Sequence, residues 1–214
     1  MDDIDWDDVH VETEISAPVR DNGQTGPGIS WWHGRGQLRS WDQTGRGAGE
    51  PTVRTLLWMN GIVVDRWTTS ECVYRALDAV SADYEKLAAA VFNATSNNLR
   101  AEVEDHIEMP PGRIVFIDRV SLASEFRGRG GIGRVLMGHI LRQLMGDLYS
   151  IAVTYPQPFE LEHGSPDFTS ELKKVRHVWE SIGFFPINED IWIMDSATTA
   201  HADAIAGLEH RLGV

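Results

Sequence analysis

With 32 acidic against 19 basic side chains in 214 residues, the chain carries a formal charge of −13, which disfavours broad binding to nucleic acid or anionic membranes. Its 42% apolar and 24% charged content is that of an ordinary globule, arguing against global disorder, and its length suits one sizeable core with appendages. A single cysteine, Cys72, excludes an intrachain disulfide and points to a reducing compartment.

The opening Met1-Asp-Asp-Ile-Asp-Trp-Asp-Asp8 is the reverse of a secretory leader, and no apolar run reaches bilayer length, so a cytoplasmic protein is expected. Val9, Val11, Thr13 and Ile15 alternate with polar residues, which predicts a half-buried strand. Residues 21–51 are glycine-rich and broken by Trp31, Trp32 and Trp41; they read as loop with one short strand near Gln37–Trp41. Thr52 to Trp67 is strand-rich, and Asn60-Gly61 at its centre predicts a tight hairpin turn. Thr68-Thr-Ser-Glu71 fits a capping box. From there Val73, Leu77, Val80, Tyr84, Leu87 and Val91 recur as on one amphipathic helix of about five or six turns.

Leu99 to Met109 is ambiguous between strand and helix. Arg113–Leu122 carries apolar residues on both parities, as a central strand covered on both faces does. A helix follows, with Ile132, Val135, Leu136, Ile140 and Leu144 as its buried stripe. Tyr149 to Thr154 is a short strand, ended by Tyr155-Pro-Gln-Pro158. Glu171 to Ile182 is helical, with Gly183 as its stop. Ile191–Met194 is a last strand, and a terminal helix runs from about Thr199 to Leu212.

Between the central strand and its helix lies Arg127-Gly-Arg-Gly-Gly-Ile-Gly-Arg134, with three arginines in eight residues. Glycines let a backbone approach a ligand closely, and the free N–H groups of a helix's first turn favour an anion. Arginine adds cationic donors suited to phosphate. The segment reads as a pyrophosphate cradle. Gly128-x-Gly130-x-x-Gly133 also matches the dinucleotide fingerprint in form. There, however, the first glycine follows its strand almost at once, whereas Ala123 to Arg127 intervene here. The acid expected about 20 residues on, after the next strand, is also missing; Asp147 lies before that strand. No Gly-Lys-Ser/Thr of a P-loop occurs, nor a Gly-x-Ser-x-Gly elbow. No two histidines stand three or four residues apart, so no metal site is expected.

Leu122-Ala-Ser-Glu-Phe-Arg-Gly-Arg-Gly-Gly-Ile-Gly-Arg-Val-Leu-Met137 resembles the acyl-CoA-binding motif of the GCN5-related N-acetyltransferase superfamily. A second match, Val178-Trp-Glu-Ser-Ile-Gly-Phe-Phe-Pro186, is similar to that family's late helix ending in Gly-Phe. The resemblance covers residues 113–195 well, 52–112 loosely and 1–51 not at all. It departs in two places. One glycine is supernumerary, so either the loop bulges by a residue or the register starts with Gly128 in the Arg/Gln place. The tyrosine that protonates the departing thiolate in many members is replaced by Trp179, whose indole is no proton source near pH 7.

The resemblance implies an α/β fold of the acyl-CoA N-acyltransferase type, a mixed, splayed central sheet flanked by helices. Its expected organisation is an N-terminal extension over 1–51, the acetyltransferase-like domain over 52–198 and a C-terminal helix or tail over 199–214. It implies acetyl-CoA as co-substrate and an amine acceptor, small or protein, acetylated directly in a ternary complex. The cofactor-binding candidates are Leu122, Arg127, Gly128, Arg129, Gly130, Gly131, Ile132, Gly133 and Arg134, with the backbone at Leu122 pairing to the pantetheine arm. The catalytic candidates are Asp118 and Glu160 as base and Tyr155 as acid in place of Trp179. Asp118 beside Arg119 also reads as a structural ion pair, and Glu160 as a solvated loop face. The alternative is a catalytically inactive acyl-CoA-binding or scaffold module; a dinucleotide-binding fragment is a third reading. Exposed aromatics would permit a homodimer.

Overall fold

The computed structural model describes residues 4–16, 28–40, 51–146 and 149–214. Seven strands form one open sheet in the order β1-β2-β3-β4-β5-β7-β6. The strands are β1 (Val9–Ser16), β2 (Ile29–Ser40), β3 (Thr52–Asp65), β4 (Arg113–Leu122), β5 (Ser150–Thr154), β6 (Phe185–Pro186) and β7 (Trp192–Asp195). All neighbours are antiparallel except β4 and β5, which run parallel and are joined through a helix. The helices are α1 (Val73–Asp78), α2 (Ala82–Val91), α3 (Ala101–Glu104), α4 (Ile132–Met145), α5 (Phe168–Glu180) and α6 (Ala200–Leu212). This is the mixed α/β sheet flanked by helices that the sequence resemblance implies. The segment before Thr52 contributes β1 and β2 to that same sheet. No described helix is long and apolar enough to cross a membrane.

β4 sits at the centre because its side chains are apolar on both faces. Val115 and Ile117 face the cluster that includes α4, Trp179 of α5 and the buried side of α6. Ile114 and Phe116 face the other cluster, with Leu77 of α1 and Leu87 and Val91 of α2. The helix stripe expected from Ile132 to Leu144 is buried as predicted. Gly183, at φ +98°, ends the α5 turn, and the Phe184 amide donates back to the Trp179 carbonyl at 3.1 Å.

Four sequence expectations are corrected. Residues 29–40 are strand, not mostly loop: β2 spans twelve residues and pairs along β1 and β3; Trp41 lies outside the described residues. Asn60-Gly61 is not a hairpin turn, since β3 runs through it without reversing. The single helix expected after Thr68 is two, split before Ser81, whose hydroxyl accepts from the Tyr84 amide and starts α2 afresh. The Thr68 capping box does not form either. α1 starts at Val73, and Asn97 Oδ1 accepts from the Val73 amide at 2.8 Å. Within the ambiguous 99–109 stretch only the short α3 is regular.

What Asn60-Gly61 marks is a β-bulge. Asn60 pairs with Arg119 and Gly61 with Ile117, so Asp118 is the extra residue on β4. A bulge bends its strand and re-aims a side chain. It forms here because Gly61 has no Cβ: one would lie 1.9 Å from the Phe116 carbonyl oxygen. That oxygen also accepts from the buried Trp32 indole N–H at 3.2 Å. Gly61→Ala is therefore expected to destabilise the fold by about 4 kcal/mol or more. Gly128→Ala, at φ +73° but with nothing within 4 Å, should cost only about 1–2 kcal/mol. Urea unfolding of both variants checks the contrast; equal losses would mean that β3 and β4 can shift apart at the bulge.

Candidate active site

β4 and β5 pair only from Arg113–Ser150 to Ile117–Thr154. Beyond Thr154 the chain turns into Tyr155-Pro156, and proline has no N–H to continue a ladder. Asp118 to Leu122 are thus left with an unpaired edge, and a cleft of about 610 Å³ opens there. Leu57, Val120, Met137, Val175 and Trp179 give it an apolar floor, while Asp118, Tyr155, Gln157 and Glu160 line it with polar groups. Leu122, Arg127 and Gly133 also reach it, so the fold brings part of the glycine loop and all three catalytic candidates to one cavity.

Gly128, Gly130 and Gly131 all have positive φ, at +73°, +65° and +117°, a region that side chains rarely enter. The loop answers the accounting of main-chain donors only in part. The Gly131 amide donates to the Arg129 carbonyl at 2.8 Å and the Arg134 amide to that of Gly131 at 2.9 Å. The amides of Arg129 and Ile132 make long contacts of 3.4 Å each, to Phe126 and Arg129 carbonyls. Among the described residues nothing accepts from the amides of Gly128, Gly130 and Gly133. Unpaired N–H groups at the start of a helix favour an anion. From behind, α6 braces the loop: a methyl group at Gly131 would come 3.0 Å from Leu208, and one at Gly130 would come 3.2 Å from Leu212.

The arginines take three different positions. Arg127 leaves the loop to grip Glu160 through both terminal nitrogens, at 2.8 and 2.6 Å, and its Nε donates to the Leu122 carbonyl at 3.0 Å. Arg129 lies 5.8 Å from the Phe126 ring. Arg134 donates to the Ser181 hydroxyl at 3.1 Å, and its pKa is lowered by burial and then by the nearby Arg211. Among the described residues no carboxylate pairs with Arg129, Arg134 or Arg211.

Asp118, turned by the bulge, keeps a side chain only 20% exposed and 3.9 Å from Arg119 Nε. Burial raises its carboxyl pKa; Arg119 opposes that and Asp83 adds to it. The pKa of Tyr84 is likewise raised, by its own burial and by the Asp118 charge, and among the described residues its buried hydroxyl has no partner. Glu160 goes the other way. The Arg127 hydrogen bonds hold it below the ordinary carboxylate range, so it is a weaker base than Asp118. Tyr155 lies on the cleft wall with Lys86 Nζ 4.3 Å from its ring centre. Trp179 is buried edge-to-face on Phe184, ring centres 4.8 Å apart. Sequence reasoning missed Tyr84 and Gln157; two prolines flanking one polar residue were the available signal for the second.

No family model matches the chain, and no curated protein does. Among solved structures, NAA60 of Arabidopsis thaliana in complex with a bisubstrate analogue is similar over 87% of this chain and 98% of that one. The identity is 11% and the TM-score 0.36, a likeness on which nothing about this chain is built.

The raised Asp118 pKa has a signed consequence. The folded state disfavours the ionised carboxylate, so the penalty is absent while folded and unfolded forms are both protonated. It grows as pH rises through the unfolded and then the folded pKa. Asp118→Asn should therefore melt higher than the parent at pH 7, with the gain fading below the ordinary carboxylate range. Identical midpoints at pH 7 would show that water in the cleft fully solvates Asp118.

Proposed function

We propose that the chain is an acetyl-CoA-dependent N-acetyltransferase that transfers the acetyl group directly to an amine, small or protein, in a ternary complex. One observation carries this reading. The unpaired edge of β4 and Gly133, the last glycine of a loop whose Gly128, Gly130 and Gly133 amides have no acceptor among the described residues, line the same cleft as a half-buried carboxylate of raised pKa. A diphosphate suits the three amides and the unneutralised Arg129 and Arg134. The amides of a pantetheine arm suit the strand edge from Asp118 to Leu122, adding to the sheet as a further strand. Because Arg127 already occupies the Leu122 carbonyl, that pairing starts at Val120 or follows release of Arg127.

In the reaction, Asp118 takes a proton from the acceptor ammonium, and the freed amine attacks the thioester carbonyl. A C–N bond forms, the C–S bond breaks, and the thiolate leaves with a proton from Tyr155, which regains one from the new amide nitrogen. Donors along the β4 edge stabilise the intermediate oxyanion. Glu160, held as an anion by Arg127, acts as a tether instead of the base. Trp179 supports a second reading, a non-catalytic acyl-CoA-binding module, because the late helix buries an indole where a proton donor would serve the thiolate.

Thermal melting with acetyl-CoA and with NAD tests the co-substrate. At one hundred times its Kd a native-state ligand adds about 2.7 kcal/mol, and acetyl-CoA alone should give such a shift. Arg129→Glu should remove it; retained affinity would take the phosphate site elsewhere. Glu160→Gln, which releases Arg127, should tighten acetyl-CoA binding up to about fivefold, since an exposed pair is worth at most about 1 kcal/mol. Free-thiol release with an amine panel then separates enzyme from binder. In an active enzyme Asp118→Asn should lower kcat by about a hundredfold or more. Undiminished turnover would remove Asp118 as base.

A further inference from the structure

Gln157 lies on the wall of the cleft between two buried prolines and is itself 9% exposed. Its Oε1 is fully buried without a hydrogen-bond partner, and among the described residues none meets its Nε2. Leaving a buried polar group unpaired costs about 1–3 kcal/mol. Pro156 and Pro158 fix φ on both sides, and the Gln157 carbonyl accepts from the Phe159 amide at 3.1 Å. The side chain is thus held at the cleft wall by a stiff backbone, with both ends of its carboxamide unpartnered among the described residues.

The charge around it narrows what it meets. Asp118, Glu160, Asp167 and Glu171 line the cleft, and the one arginine that lines it among the described residues, Arg127, is already committed to Glu160. A cation is welcome there and an anion is repelled. A neutral carboxamide with a free donor and a free acceptor is best matched by a group offering one of each.

We propose that Gln157 determines acceptor specificity, and that the acceptor is an amine also bearing an amide that pairs with the Gln157 carboxamide. That amide is a primary carboxamide, or the N–H and C=O along one edge of an extended peptide. The inference rests on the acetyltransferase reading and deepens it: the amine is selected by a neutral polar group elsewhere on the same molecule, and carboxylate-bearing amines are excluded.

A ladder of acceptors tests this at saturating acetyl-CoA, with thiol release as readout. It comprises glycinamide, β-alaninamide and 4-aminobutanamide, alkylamines and amino acids of the same lengths, and triglycinamide. The best amide should exceed its alkylamine counterpart in kcat/KM by about tenfold or more, since a site built to hydrogen-bond rejects analogues that cannot. The amino acids should be poorest. Preference for triglycinamide over the small amides identifies a peptide source, and the reverse a free metabolite. Gln157→Met, similar in length without the carboxamide, should bring the amide-to-alkylamine ratio to about one while acetyl-CoA still raises the melting midpoint. Gln157→Asn, which retracts the carboxamide by one methylene, should keep the preference and shift it to a longer acceptor; it serves where the Met variant does not fold. A wild-type ratio near one overturns the inference, as does a Met variant that lowers amides and alkylamines by the same factor. Both leave the acetyltransferase reading standing. Thiol release with none of these amines, despite a melting shift with acetyl-CoA, overturns that reading and this one together.

Discussion

The geometry of the candidate site depends on one steric exclusion. The Phe116 carbonyl oxygen lies where any side chain at position 61 would begin, so β3 and β4 can approach only with glycine there. The close approach gives that oxygen its bond from the Trp32 indole and forces β4 to accommodate an extra residue. The extra residue is Asp118. A carboxylate in a regular strand at this depth would lie among the apolar side chains of one helix layer. In the bulge it reaches the cleft while staying desolvated enough to hold its proton more tightly than usual.

Charge distribution reinforces this division of the cleft. The protein is strongly acidic as a whole, and several of its described arginines contact a carboxylate or a carbonyl. Around the start of α4, Arg134 and Arg211 are near enough for their charges to interact, and among the described residues neither forms a salt bridge with a carboxylate. Like charges held together repel, so the arrangement is stable only where an anion or solvent relieves it. In the lining of the cavity itself carboxylates outnumber cations, and Arg129, Arg134 and Arg211 are not part of that lining.

The central half of the fold was legible in the sequence because burial on both faces leaves apolar residues on both parities, as in β4. The glycine loop was legible because φ > 0 and close approach demand glycine. The failures in β2 and β3 share one cause: glycine also marks space. In β2, a methyl group at Gly34 or Gly36 would strike Ile140 or Leu136 of α4 at 2.5 and 2.8 Å. These residues signal a helix pressed onto a strand, whereas composition made them look like loop. Asn60-Gly61 was misread for the same reason. The break between α1 and α2 escaped because the apolar spacing continues across it, and only the Ser81 cap betrays the restart. The Arg127–Glu160 contact joins residues 33 apart in sequence, and no local pattern encodes it.

That contact makes the two ends of the cavity interdependent. An anion that captures Arg127 must dislodge Glu160, and the carboxylate set loose then adds its charge to that of Asp118. Under the proposed function a positively charged second reactant would be drawn more strongly once the first has arrived, so ordered addition would follow from a single exchange of ionic partners.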